Sequence, residues 1–162
     1  MTEKSNSDPL LLSLKVLKSI FKGKLQNSNY HKQASRVQNI LLGALNHDYS
    51  KVVASGLQVT GLFFSTLRAQ DGSLNQNYVS LVKPFYTAVF AKLSKVDIDQ
   101  DVKKRSIIAA ADLVSVSNAV LSSEDIAKVM QVLTERLKQD LTRESALKAI
   151  TYIVLNETSN SY

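Results

Sequence analysis

Residues 91–117 read AKLSKVDIDQDVKKRSIIAAADLVSVS, which is the end of one helix, a short acidic turn and the start of another. Across 107–116 only Asp112 and Ser115 are polar, among Ile107, Ile108, Ala109, Ala110, Ala111, Leu113, Val114 and Val116. A helix that is apolar around most of its girth has to be covered on several sides. No stretch reaches the roughly 18 consecutive apolar residues of a membrane span, so neighbouring helices must supply the cover.

Two other segments have the same character. VVASGLQVTGLFF (52–64) has Gln58 as its one strongly polar residue, and ALKAITYIVL (146–155) has only Lys148 charged. Registered on a small residue followed by a large aliphatic one, Gly56-Leu57, Ser106-Ile107 and Ala149-Ile150 align at spacings of 50 and 43 residues. Stacked armadillo and HEAT units repeat at roughly 40–47. The alternative is an ordinary bundle of apolar helices around one centre. No segment alternates apolar and polar residues between hairpin turns, so the reading is all-α: an α-solenoid of antiparallel helix pairs, HEAT/armadillo-like, with about three pairs plus one leading helix.

The elements follow from local chemistry. Residues 1–8 read as a disordered lead-in, 9–156 as the solenoid and 157–162 as a polar tail. Pro9 at a first helical position opens a helix ending near Gly23. It reads as the second half of a repeat, as if cut from something longer. Helices are expected over about 30–45, 51–69, 76–93, about 100 onward, 123 onward and from a Thr142 cap. Pro84 falls inside one of them, which predicts a kink or two abutting pieces. Asp99 is expected to cap the fifth helix, and Ser122 and Ser123 the sixth, with Glu124 and Lys128 paired one turn apart. Each unit buries only against its neighbours, so the ends of a short array expose apolar faces and self-association through an end is expected.

Composition narrows the function. The chain is 44% hydrophobic and 21% charged, with no Cys, which excludes disulfides and thiolate metal sites. The polar N-terminus shows no signal peptide, so the cytosol or nucleus is expected. The net charge of +6 invites a nucleic-acid reading, but Lys103-Lys104-Arg105 is the only compact basic run and has no interleaved aromatics. Asp97-Ile-Asp-Gln-Asp101 opens like a calcium loop, yet its sixth position is Val102 and its twelfth Ile108, where Gly and Glu are required. Ser-x-x-Lys occurs at Ser19/Lys22, Ser80/Lys83 and Ser145/Lys148, too often in a helical chain to be a signature. His31 and His47 lie in separate segments, each expected exposed at a helix end. No nucleophile, base and orienting group can be assembled, so no enzyme and no cofactor or metal is expected.

The runs AKLSKVDIDQDVKKR (91–105) and TERLKQDLTRESALKAI (134–150), and more loosely VASGLQVTGLFFSTLR (53–68), resemble units from the middle of the cullin-associated and neddylation-dissociated family. The resemblance implies a non-enzymatic HEAT scaffold that wraps a cullin and its RING subunit, blocks modification of the cullin, and promotes exchange of substrate-receptor modules. No functional residue of the family can be carried over. The charge pattern itself proposes Lys103, Lys104 and Arg105, at the start of a second helix, as contacts to an acidic partner. The rival readings are a basic array that binds nucleic acid and a carrier or adaptor for another protein.

Overall fold

The computed structural model describes residues 9–23, 30–69 and 72–159, and all the described helices belong to one stack. The helices are α1 (Pro9–Lys22), α2 (Tyr30–Leu45), α3 (Ser50–Thr66), α4 (Val79–Ser94), α5 (Gln100–Ser117), α6 (Ser123–Leu137) and α7 (Asp140–Ser159). A single 3-10 turn, Gln76–Tyr78, leads into α4. Among the described residues there is no strand, only one isolated backbone bridge between Arg68 and Leu74. None of the described helices is long and apolar enough to cross a membrane.

Helices α2/α3, α4/α5 and α6/α7 form the three antiparallel pairs, and α1 leads. The second helices α1, α3, α5 and α7 stack tightly one on the next, whereas the first helices α2, α4 and α6 meet one another only sparsely. The repeat is therefore translational, with a close-packed layer of second helices and a looser outer layer, as in an α-solenoid. Helix α5 shows why. Twelve of its residues are buried, from Val102 to Ser117. Its buried serines satisfy themselves within the helix: Ser106 Oγ donates to the Lys103 carbonyl at 2.8 Å, and Ser117 Oγ donates to that of Leu113. A hydroxyl that bonds back one turn can enter an apolar interior without an external partner.

Glycine sets the approach of α3 to both neighbours. A Cβ on Gly56 would lie 2.9 Å from the Ala44 Cβ on α2, and one on Gly61 would overlap the Asp112 carboxylate on α5. Four phenylalanines fill the space between units. Phe21 of α1 meets Phe63 at 5.5 Å between ring centroids, and Phe64 meets Phe85 of α4 edge-on at 5.2 Å. In the outer layer Lys83 reaches Asp125 across α4 and α6 at 2.9 Å, and this hydrogen bond holds the Asp125 carboxyl below its ordinary range. Arg136, buried near the end of α6, donates from Nη2 to the carbonyls of Leu93 and Lys95 at 2.9 and 3.1 Å. A cation is well placed there, because the exposed carbonyls at a helix C-terminus carry partial negative charge.

The expected caps stand at two helices. Asp99 accepts from the backbone N–H of Asp101 and Val102, and Ser122 from that of Asp125. Glu124 and Lys128 pair at 2.6 Å. Three readings are corrected. Helix α4 is one helix across Pro84 and not two abutting pieces there, and the joint lies at Tyr78, where the 3-10 turn meets the helix. Pro84 sits early in the helix and is exposed, so the hydrogen bond it cannot make is that to the carbonyl of Ser80, itself exposed to water. Thr142 is not a cap. Helix α7 begins at Asp140, and the buried Thr142 hydroxyl donates to the Arg136 carbonyl at 2.9 Å, tying α7 to the end of α6. Helix α7 also continues to Ser159, past the expected start of the polar tail. The lead-in over residues 1–8 lies outside the described residues.

An added methyl normally stabilises a helix interior by about 1 kcal/mol relative to glycine. Gly43, on the same helix as Ala44, has nothing within 4 Å of an added Cβ. Gly43→Ala should therefore raise the urea midpoint, while Gly56→Ala should lower stability by about 1–3 kcal/mol, because α2 and α3 must separate to admit the methyl.

Candidate protein-interaction ridge

The surface with the most chemistry is the ridge of second helices. On α5 the residues left to water are Gln100, Asp101, Lys104, Ile108 and, partly, Arg105 and Asp112; among them Asp101, Lys104, Ile108 and Asp112 stand at intervals of three and four that make one stripe. Ile108 is 53% exposed, although α5 is packed against other helices on its remaining sides.

The basic run proposed from sequence divides along this geometry. Lys103 is 8% exposed, turned off the stripe into the packed side of α5, so it presents no charge to a partner along the ridge. Arg105 is half-buried and its Nε donates to both carboxylate oxygens of Asp101 at 3.0 Å. Lys104 is exposed. Glu144 of α7 is held below the usual carboxylate range, first by the hydrogen bond from Lys148 and also by the charge of Lys104 across the ridge. Of the three residues proposed from sequence, one is open, one is half-buried and ion-paired, and one is buried.

A second cluster lies further along the ridge, and sequence reasoning gave it no role. Arg68, just past the end of α3, donates to the Gly72 carbonyl at 3.0 Å, to Ser115 Oγ of α5 at 3.1 Å and to the Tyr152 hydroxyl of α7 at 3.1 Å. One side chain therefore spans three consecutive units. Asp112 lies over Gly61 beside this guanidinium. Burial pushes its carboxyl up to about 6, and the charge of Arg68 opposes that rise without cancelling it. The signals were present in the sequence: a second glycine five residues after Gly56, and one carboxylate in an otherwise apolar helix.

The remaining polar residues do local work. His47 Nδ1 accepts from the Tyr49 N–H at 3.0 Å and so shapes the turn between α2 and α3. The side chain of His31 lies outside the described residues. Among the described residues no three His, Asp or Glu side chains could jointly hold a metal ion. What this arrangement can do is present a row of side chains, held at fixed spacing by stacked helices, to another surface.

Comparison with known proteins bears on whose surface that is. The family described as "CAND1-like, TPR repeats" matches residues 2–110. The chain belongs to this family. TPR units repeat every 34 residues, whereas the aligned helices here are 50 and 43 apart, but both designs stack antiparallel helix pairs. Cullin-associated NEDD8-dissociated protein 1 of Arabidopsis thaliana is 25% identical over 153 residues, covering 94% of this chain and 12% of that protein. The Drosophila melanogaster protein of the same name is 35% identical over 74 residues, 46% of this chain and 6% of its own. Cullin-associated NEDD8-dissociated protein 2 of Mus musculus is 30% identical over 108 residues, 67% and 9%. The chain thus spans about an eighth of the Arabidopsis relative and less of the others. The family is one of repeat proteins, and the names of these relatives associate them with cullins.

The raised pKa of Asp112 gives a stability test with a definite sign. Between the ordinary value of 3.8 and about 6 the folded chain binds more protons than the unfolded one, so stability falls as pH rises through that window. Above it the cost of the buried charge is fully present. Asp112→Asn should raise stability at pH 7.5 by about 1–2 kcal/mol and flatten the dependence between pH 4 and 6, as read from urea unfolding at each pH.

Proposed function

We propose that this chain is a protein-binding segment of a scaffold that associates with a cullin and its RING subunit in the cytosol or nucleus. Through that association it would take part in assembling cullin-RING ubiquitin ligases, by favouring exchange of substrate receptors and obstructing modification of the cullin. The observation that carries the reading is the family match over residues 2–110, joined to a stack whose stiff second-helix ridge leaves charged side chains open. Lys104 and Arg105 are the contacts proposed on α5, with Lys103 serving the core. An open end belongs to the same proposal. On α7, Leu147 and Val154 are 57% and 45% exposed, and they would receive a further unit or a second copy end to end.

Immobilised cullin–RING complex, titrated with this chain and with a version extended by flanking repeats, tests the reading. Both should bind, the longer one more tightly, and Lys104→Glu with Arg105→Glu should weaken binding about fivefold or more. Failure of both versions to bind would overturn the cullin reading. Light scattering that stays monomeric at all concentrations would remove the end-to-end contact.

A further inference from the structure

Over residues 9–47 the sequence has no Asp or Glu and six Lys or Arg. Three of the six, Lys15, Lys18 and Lys22, stand at intervals of three and four on α1 and so form one contiguous stripe. We propose that this stripe is a docking surface for an acidic segment of a protein partner, an inference that rests on reading the chain as a protein-binding scaffold.

Geometry places the stripe on the ridge. Leu14 and Phe21 are buried toward α3, and Lys18, between them along the helix, donates to Gln58 Oε1 of α3 at 2.8 Å. Lys15 and Lys22 flank it on the exposed side and have no ion pair with any described residue. The later helices behave differently. Arg105 pairs with Asp101, Lys128 with Glu124, Arg143 with Asp140 and Lys148 with Glu144, each one turn away on its own helix. Local neutralisation is the habit of α5, α6 and α7, and α1 lacks it. Like charges at these intervals repel and work against the helix. The helix dipole compensates Lys22 in the last turn, but not Lys15 or Lys18 farther from the end. An acidic segment laid along α1 would relieve the repulsion of all three.

The details favour a polypeptide over other polyanions. The stripe is all lysine, and the one ring among its members, Phe21, is buried against α3 and offers no face on which a base could stack. Beside it Leu12 and Val16 are 60% and 56% exposed. Two aliphatic side chains are too little to seat a helix in a lipid surface, but they suit an acidic helix or strand that carries an occasional apolar residue.

Fluorescence anisotropy with a labelled poly-L-glutamate peptide tests this, with an oligothymidine strand and phosphatidylserine vesicles as the competing probes. The unaltered chain should bind the peptide. Lys15→Glu/Lys18→Glu/Lys22→Glu should weaken binding about tenfold or more. Lys92→Glu/Lys95→Glu/Lys138→Glu, the same change of net charge placed elsewhere, should leave it nearly unchanged. The corresponding Gln variant of the stripe, which removes charge without reversing it, guards against a folding defect and should weaken binding to a smaller degree. Equal loss from both Glu triples, no loss from the stripe, or tighter binding of the stripe to oligothymidine or vesicles would overturn the proposal. Peptide binding that needs the stripe, in a chain that ignores cullin–RING complex, would keep the stripe and remove the cullin reading. Cullin binding untouched by the stripe variants would do the reverse.

Discussion

The fold depends on the burial of α5. With Leu113, Val114, Ile107 and the alanines 109–111 all within 3% of full burial, this helix needs α3 on one side, α7 on the other and α4 behind it. Those neighbours can reach it only if they come close. That requirement explains the small residues along the second helices, and it makes Gly61 and Asp112 a mutually dependent pair. The carboxylate has its place because the glycine has no side chain.

Much of this was legible in the sequence, because the decisive signals are local. Apolar girth in three separate segments, proline at a helix entrance and carboxylate or hydroxyl caps at Asp99 and Ser122 all act within a few residues of themselves. What escaped was either long-range or set by competition. Thr142 looked like a cap because hydroxyls favour that position, yet the carbonyl of Arg136, six residues back, was a better partner inside the structure. Pro84 looked like a break because its position relative to the true helix start was unknown. Arg68 was unreadable, since its partners lie 47 and 84 residues away.

The candidate surface was read less well than the fold, for a physical reason. A cluster of basic residues is visible in sequence, but which member faces outward depends on the rotation of the helix about its axis. Packing fixes that rotation: Val102, Ser106 and Ile107 go in, and Lys103 goes in with them. The stripe on α1 needed more still, because its meaning lies in the contrast with ion-paired helices elsewhere in the chain.

Arg68 carries a mechanical consequence. A planar head that bonds α5 and α7 while its backbone is anchored at the end of α3 adds one rigid polar tie across three rungs. The buried packing of the second helices sets their spacing, and this tie fastens it from the outside. Drawing the rungs apart would break these polar bonds together with the apolar contacts beneath them.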